Sequence, residues 1–420
     1  MTFRIALSGL NAASTDLEVT GNNIANSATN GFKESRAEFG DVFAASIQDT
    51  ANQSGQGVRV MRIAQQFSQG TIDFTSNNLD LAISGQGFFV LEKADGTQAF
   101  TRAGAYSVDR DGYVVNGTSD RLQIYDAVTG AGGVTTFNTG VLQDLQLPTT
   151  PNSPSASANV DATLNLNSSD TAPTVAWTGG SPPPTNEYNS STSTTVYDTL
   201  GNAHTATMYF RKSETTPGLW DQYLYVDGTQ VDPNETLAGG GPDTTLTFNS
   251  LGALTGGNPK TYTLDFSADG ASATQALELD FTGTTQFGSA FAVNNLAQDG
   301  YTTGRLAGVD IDNEGVVFAR YTNGQSDAVG KVAMAKFNNQ QGLRQVGDSN
   351  WAESFASGQP QFGEAGTSSY GQVQSGALEA SNVDIAAQLV NLITAQRNFQ
   401  ANAEVISTSD SITQTIINIR

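Results

Sequence analysis

The last forty residues, 381–420, carry a narrow stripe of apolar side chains with no Pro or Gly among them. Ile385, Leu389 and Leu392 begin the stripe, which recurs at steps of three and four residues and is interrupted by Gln396 and Asp410. This spacing predicts one long helix with a seam like that of a coiled coil. The helix would be roughly 55–60 Å long. It needs a partner, because its apolar stripe would otherwise face water.

The N-terminal residues carry a second stripe of the same kind. Phe3, Leu10, Leu17 and Ile24 lie seven residues apart, which predicts a helix that ends before the turn signal at 30–31. The two terminal helices are expected to pair with each other. Two readings stay open at this point: a hairpin satisfied within one chain, or packing against other chains as well. The second is favoured, because the stripes leave much apolar surface for each chain.

The end of the first helix is rich in Asn, with Asn22, Asn23 and Asn26 close together. Asn is a weak helix former, and its amide can bond backbone groups across a joint. We interpret these residues either as a frayed helix end or as a polar collar between helices of neighbouring subunits.

Everything between the termini predicts β-structure. Alternating apolar runs are separated by hairpin signals such as Asp95-Gly96, Asp111-Gly112 and Asp227-Gly228. Stretches rich in Pro and Ser, which are typical of linkers, begin near residue 146. The fold class is therefore mainly β and multidomain, with helical termini. The expected domains are 1–32 with 379–420 (helical assembly domain), 33–70 (extended connector), 71–145 with 288–378 (inner β-domain) and 146–287 (inserted outer β-domain).

Composition narrows the range of partners. The chain of 420 residues has a formal net charge of −22 and no Cys. A strongly acidic protein is a poor candidate for binding nucleic acid or anionic membranes, because both require a cationic face. No stretch is long enough to span a bilayer, and the first residues do not form a Sec signal. We therefore expect no nucleic-acid partner and no membrane insertion. On these facts alone the chain could be a cytosolic protein or one exported by a route that needs no cleaved signal.

Catalytic and metal-binding signals are weak. The only His, His204, alternates with apolar strand residues and is interpreted as a strand residue instead of a base. Residues 310–315 resemble the start of a calcium loop, but Tyr321 stands where that loop needs a bidentate Glu. We expect no enzyme activity, cofactor or metal. A glycosidase-like carboxylate pair stays open, because its spacing is spatial.

Several motifs resemble the family of bacterial flagellar rod and hook proteins. They are ALSGLNAA at 6–13, GNNIANSATNGFK at 21–33, LDLAISGQGFF at 79–89, LEASNVD at 378–384 and QRNFQANA at 396–403. They recur at both ends and in the middle in the family's order. The runs YDTLGNAH at 197–204 and GRLAGVDID at 304–312 look like hook proteins instead of the shorter distal rod proteins. The resemblance is weakest across 146–190 and 229–280.

The resemblance implies a structural subunit of the flagellar hook, a curved tube that transmits motor torque from rod to filament. The terminal helices of many copies would form its inner tube, and the β-domains would lie outside and slide as the tube bends. Expected partners are further copies of the chain, the distal end of the rod, the hook cap, the hook–filament junction proteins and the flagellar type III export apparatus. The residues expected at the self-assembly interface are Phe3, Leu7, Leu10, Leu17, Asn22, Asn23, Ile24, Asn26, Ile385, Leu389, Leu392, Gln396, Arg397, Phe399, Ala403, Ile406, Ile416 and Ile419.

Three alternatives remain at this stage: a distal rod or other axial protein, a secreted β-rich adhesin or fibre, and a carbohydrate-active enzyme. The adhesin would form no tube, and the enzyme would need two carboxylates in one cleft. The termini are expected to become ordered on assembly, so that folding and polymerisation are coupled.

Overall fold

A computed structural model describes residues 2–42, 55–130, 135–231, 244–367 and 369–418 of the chain. The chain divides into two compact units. We call Met1–Thr149, Ala307–Arg320 and Ser326–Arg420 the terminal unit, and Thr150–Leu306 with Tyr321–Gln325 the insert unit. The prediction of a mainly β protein with packed terminal helices is confirmed.

The terminal unit contains both long helices, α1 (Thr2–Ala25) and α2 (Ile385–Asn418). The helices pack against each other, and α1 also contacts an antiparallel hairpin of β1 (Ser35–Asp41) and β2 (Val58–Gln65). This hairpin lies in the stretch that the sequence predicts to be an extended connector. Its pairing was missed because only the second strand has a strand-like pattern, whereas the residues of the first show mixed periodicity. Among the described helices, none combines the length and apolarity needed to cross a membrane.

A large antiparallel sheet forms the rest of the terminal unit. In the described part of the chain it has twelve strands, whose central path runs β21-β22-β23-β9-β5-β6-β25-β24. Its members are β5 (Phe88–Glu92), β6 (Gln98–Thr101), β7 (Ser107–Val108), β8 (Val114–Val115), β9 (Arg121–Thr129), β10 (Thr135–Asp144), β21 (Leu306–Ile311), β22 (Val316–Tyr321), β23 (Ser326–Lys336), β24 (Arg344–Gly347), β25 (Asn350–Ala352) and β26 (Gln361–Glu364). Two short pairs connect this sheet to α2: β3 (Ile72–Phe74) with β28 (Ala377–Glu379), and β4 (Leu81–Ser84) with β27 (Gln372–Ser375).

The core of this sheet is aromatic. Phe88, Phe100 and Trp351 are buried together. Phe67, from the segment after the β1–β2 hairpin, meets Phe88 edge to face at 5.7 Å and Trp351 at 5.1 Å. Edge-to-face aromatic pairs of this kind stabilise a core beyond their buried area. The segment next to the helices is therefore anchored in the β-core.

The insert unit is a pair of smaller sheets around a core of its own. One sheet contains β18 (Lys260–Leu264), β19 (Gln275–Asp280), β11 (Asn159–Asn165) and β20 (Ala292–Gln298). The other contains β12 (Ser190–Tyr197), β13 (Ala203–Lys212), β14 (Leu219–Val226), β15 (Thr229–Val231), β16 (Thr244–Phe248) and β17 (Leu254–Gly256). Their inward faces bury one apolar cluster that includes Trp220, Phe210 and Phe281. The contribution of β13 to this cluster follows from the alternation of side chains along a strand, because every second side chain of β13 faces this core.

Candidate assembly surface

The two helices meet along a heptad seam. On α2 the less exposed positions recur at steps of four and three residues: Gln388, Leu392, Ala395, Phe399, Asn402 and Ile406. On α1 the same spacing runs through Ala6, Leu10, Ala13, Leu17, Thr20 and Ile24. This is the pattern of knobs-into-holes packing. At Gly9 the two helices are in close contact, because an added Cβ would clash with the side chain of Asn402.

A neighbouring face of α1 is covered by the β1–β2 hairpin. Ala12, Val19 and Asn23 on this face are buried, and the backbone N–H of Val58 donates to Ser8 Oγ over 3.2 Å. Helix α1 is therefore enclosed on two sides within one chain. Helix α2 has only α1 as a substantial helical or strand neighbour in the described residues.

A buried ion cluster joins the helical region to the large sheet. Glu379, at the end of β28, accepts from Lys33 Nζ at 2.6 Å and from Arg102 Nη1 at 3.1 Å. The side chains of Lys33 and Glu379 are 1 % and 0 % exposed, and that of Arg102 is 6 % exposed. We call these three residues the buried triad. It ties together chain segments that lie up to 346 positions apart.

The remaining polar atoms of the buried triad are also paired. Lys33 Nζ donates to the carbonyl oxygen of Ser68, Arg102 Nη2 donates to that of Gly85, and the backbone N–H of Gly70 donates to Glu379 Oε1. Burial lowers the pKa of Lys33, while the Glu379 carboxylate opposes the shift. Burial likewise lowers the pKa of Arg102. Both cations thus depend on Glu379 as their counter-ion.

A second polar cluster fixes the first turn of α2. Asn23 Nδ2 donates to the carbonyl oxygen of Ser35 at 2.7 Å, and the Ser35 N–H donates back to Asn23 Oδ1 at 2.9 Å. Asn23 Nδ2 also reaches Gln388 Oε1 at 3.3 Å, and Gln388 Nε2 donates to Glu34 Oε1 at 2.9 Å. This network links the first turn of α2 to the end of α1 and the start of β1.

Asn382 anchors the segment before α2. Its Oδ1 accepts from the Glu34 N–H at 2.8 Å, and its Nδ2 donates to the carbonyl oxygens of Gln66 and Ser68. Asp384 then caps the helix, since its Oδ1 accepts from the Ala386 N–H at 2.8 Å. The backbone entering α2 is therefore held by side-chain hydrogen bonds at two points.

The outward face of α2 carries large apolar side chains that nothing in the described chain covers. Leu389, Ile393 and Ile412 are 46 %, 49 % and 56 % exposed. Near the free end, an open groove of about 730 Å³ runs along Phe3, Ala401, Glu404, Val405, Thr408, Ser409, Ile412 and Thr413. Exposed apolar surface of this extent marks an interaction site.

The structure divides the residues predicted for self-assembly into three groups. Half-buried or buried positions are Leu10, Leu17, Asn23, Ile24, Asn26, Leu392, Phe399, Ala403 and Ile406. Exposed positions are Phe3, Leu7, Asn22, Ile385, Leu389, Gln396 and Arg397. Ile419 and the side chain of Ile416 lie outside what the structure describes.

The Asn-rich stretch has two different roles. Asn23 is buried within the chain, whereas Asn26 Nδ2 donates to the carbonyl oxygen of Asn22 along the exposed side of the helix end. Sequence reasoning missed Gln388 and Asn402 on the seam, because the stripe on α2 was traced through its apolar positions. It also missed the buried triad. The available signal was Lys33, the single charged residue of the motif at 21–33.

His204 has a structural environment. Its Nδ1 lies 2.7 Å from Asp227 Oδ2, its Nε2 lies 3.5 Å from Asp198 Oδ2, and its ring stacks on Phe266 at 4.0 Å. These contacts connect three turns of the insert unit. Within the described residues, no group of three His, Asp or Glu side chains is arranged to hold a metal ion.

Comparisons with known proteins match this arrangement segment by segment. Four family models match: flagella basal body rod protein over 3–33, flagellar hook protein FlgE/F/G D1 domain over 82–162, flagellar basal body protein FlaE D2 domain over 159–301, and flagellar basal body rod FlgEFG protein C-terminal over 374–419. The flagellar hook protein FlgE of Salmonella typhimurium is 38 % identical over the whole of both chains. The chain belongs to the flagellar hook protein family.

Other members of the hook protein family are more distant in sequence. The flagellar hook protein FlgE of Borreliella burgdorferi is 32 % identical, over 99 % of this chain and 98 % of that protein. The crystal structure of the Helicobacter pylori flagellar hook protein FlgE2 covers 73 % of this chain and has a TM-score of 0.51 at 16 % identity. The last comparison supports the fold alone. The two ends that match the rod and hook family are α1 and α2, the helices of the seam.

Proposed function

We propose that this chain polymerises into the tube of the flagellar hook by packing its α1–α2 pair against the pairs of neighbouring copies. The observation that carries the proposal is the exposed apolar face of α2, which its own chain leaves open. Burying one such side chain is worth about 1.5–3 kcal/mol. Several per copy, repeated along a polymer, would stabilise a continuous inner wall.

Within this proposal the chain's segments have separate tasks. Residues 1–32 and 379–420 form the helical assembly domain, and 33–70 lead into the inner β-domain, for which 71–145 and 288–378 were predicted. The outer insert, predicted as 146–287, extends to Leu306 in the insert unit. Half-buried seam residues such as Phe399 hold the pair together, and exposed residues such as Leu389 contact the next copy. The protein acts structurally, as its relatives' names indicate.

The proposed partners follow from a place in the hook. They are other copies of the chain, the distal rod, the hook cap, the hook–filament junction proteins and the type III export apparatus of the flagellum.

We also propose that the chain is exported with α1 retained, because α1 supplies half of the helix pair. Sequencing the N-terminus of the protein recovered from purified hooks tests this; a mature chain that begins after residue 25 would contradict it.

The central experiment uses the full-length chain at raised concentration and salt. Wild type is compared with the triple variant Leu389→Gln, Ile393→Gln, Ile412→Gln by sedimentation and negative-stain electron microscopy. A matched control replaces three exposed apolar residues of the insert unit, Leu200, Leu251 and Phe287, by Gln. We expect tubes from wild type and control, and folded monomers from the α2 variant. Tubes from the α2 variant in wild-type yield would refute the proposal.

A further inference from the structure

Phe355 is an aromatic side chain that its own chain leaves uncovered. It lies in the turn after β25, in the terminal unit, and is 106 % exposed. The next most exposed Phe of the described residues, Phe74, is 77 % exposed. Singly exposed apolar residues are common on protein surfaces, so exposure alone does not identify a contact.

The turn that carries Phe355 is fixed by its own hydrogen bonds. Ser354 N–H donates to Ser357 Oγ at 2.9 Å, and Ser357 Oγ donates back to the carbonyl oxygen of Ser354 at 2.9 Å. The Ala356 N–H donates to Ser354 Oγ at 3.1 Å. Ser357 is buried, at 1 % exposed. The ring therefore projects from a turn whose two flanking serines are mutually bonded.

A second layer of the chain supports this turn from behind. A Cβ added to Gly342 would lie 2.4 Å from the backbone of Ala356 and Ser357, so the two backbones are in direct contact. Asn339 Nδ2 donates to the carbonyl oxygen of Ala356 at 2.9 Å. A rigid aromatic side chain loses little conformational freedom when a partner covers it. Aromatic anchors of this kind dominate the binding energy of protein interfaces.

We propose that Phe355 is an anchor residue that docks on the terminal unit of a second copy of this chain. A second copy is the expected binding partner because the chain is proposed to form a polymer, and the inference therefore rests on the proposed function. The segment behind this turn is also bonded to the hairpin that packs on α1. Gln341 Nε2 donates to the carbonyl oxygen of Gln65, the last residue of that hairpin, at 2.6 Å. Phe355 extends the copy-to-copy contact from the helices to the sheet.

The test uses the absence of Cys from the natural sequence. Phe355→Cys gives a chain with a single thiol, and Ala94→Cys places one at the exposed β5–β6 turn as a control. Each variant is added to seeds of wild-type polymer, and the rate of maleimide labelling is compared between monomer and polymer. We expect the thiol at 355 to label at least about tenfold more slowly in the polymer, as a desolvated interface centre would. The thiol at 94 serves as the reference for an open surface.

A second pair of variants tests the contact energetically. Phe355→Gln is expected to raise the critical concentration for assembly about tenfold, whereas Phe355→Leu keeps it within about threefold of wild type. Failure of Phe355→Cys to elongate seeds that Ala94→Cys elongates would also support the anchor. Equal labelling at 355 in monomer and polymer, or wild-type assembly by Phe355→Gln, would overturn it. A wild-type chain that forms no polymer would instead overturn the proposed function, and the inference with it.

Discussion

Phe100 and Phe399 stand in two regions of the terminal unit that bury their side chains to different degrees. Phe100 is 0 % exposed among aromatic neighbours contributed by its own chain. Phe399 lies half-buried on the α1–α2 seam, between exposed apolar residues such as Leu389 and Val405. The first region is fully covered by its own chain, and the second leaves apolar side chains exposed. The proposed contact with another copy uses the second region.

The largest expected effect tests that comparison directly. Phe100→Ala should lower the free energy of unfolding by about 3–5 kcal/mol, because it leaves a cavity in a closed core. Phe399→Ala should cost the monomer roughly 1 kcal/mol, because only part of its side chain is covered. Urea unfolding of each variant, followed on the transition of the terminal unit, measures both. Equal losses of unfolding free energy at the two positions would mean that Phe399 is packed in the monomer as fully as Phe100.

The three charges of the buried triad should depend on one another for stability. Glu379→Gln leaves Lys33 and Arg102 buried without a counter-ion, which should cost about 3–5 kcal/mol in unfolding free energy. The matched control is Glu38→Gln, which removes an exposed pair with Arg62 and should leave stability nearly unchanged. Protease sensitivity near residue 380 should rise with Glu379→Gln alone. A triad variant as stable as the control would show that these charges are not coupled.

The network at the first turn of α2 gives a smaller effect. Asn23→Ala removes both partners of the Ser35 backbone and should cost about 1–3 kcal/mol. Amide hydrogen exchange should accelerate at Ser35 and Gln388. Asn22→Ala, at the exposed neighbouring position, should leave exchange at both sites unchanged. If the two variants behave alike, the direction of α2 is set by the seam and not by Asn23.

The insert unit offers a comparison that depends on pH. Hydrogen bonds from Thr282 and Asn258 hold the pKa of Asp280 below its ordinary value of 3.8. A depressed carboxyl pKa contributes stability above the unfolded value, and that contribution is lost as the pH falls through the folded value. Asp280→Asn should therefore lower the melting temperature of the insert at pH 6 and flatten its fall below pH 3.8. Asp269→Asn, at an exposed position, should follow the wild-type profile.

The smallest expected effect is on the outward face of α2. Leu389→Gln and Ile393→Gln should change the unfolding free energy of the monomer by no more than about 0.5 kcal/mol each. Calorimetry below the concentration for assembly measures this. A large loss would place these side chains inside the monomer's own packing, which contradicts their exposure.

The sequence pattern predicted the elements better than the contacts between them. Helical periodicity placed Leu392, Phe399 and Ile406 on one stripe, and the structure has them on the seam. The same stripe included Ile385 and Leu389, which are exposed, because the true seam passes through Gln388 and Ala395. A search for apolar residues cannot find a polar residue on the seam, such as Gln388. It also cannot tell an apolar stripe that faces α1 from one that is exposed.

Long-range polar pairs were beyond pattern reasoning. Lys33 and Glu379 lie in motifs that were recognised, but nothing local indicates that they meet. Such a contact depends on how the β3–β28 pair brings distant segments together. The rigid support of Phe355 has the same origin, since Gly342 and Ala356 belong to different turns.

The buried triad also sets an order in time. A chain that leaves a ribosome or an export channel with its N-terminus first presents Lys33 and Arg102 long before Glu379, which follows them by 346 and 277 positions. Until Glu379 is available, Lys33 and Arg102 lack the counter-ion that they need for burial, so the triad cannot form. Glu379 arrives immediately ahead of α2. Burial of the triad therefore waits for the part of the chain that also delivers α2, the helix proposed to contact other copies.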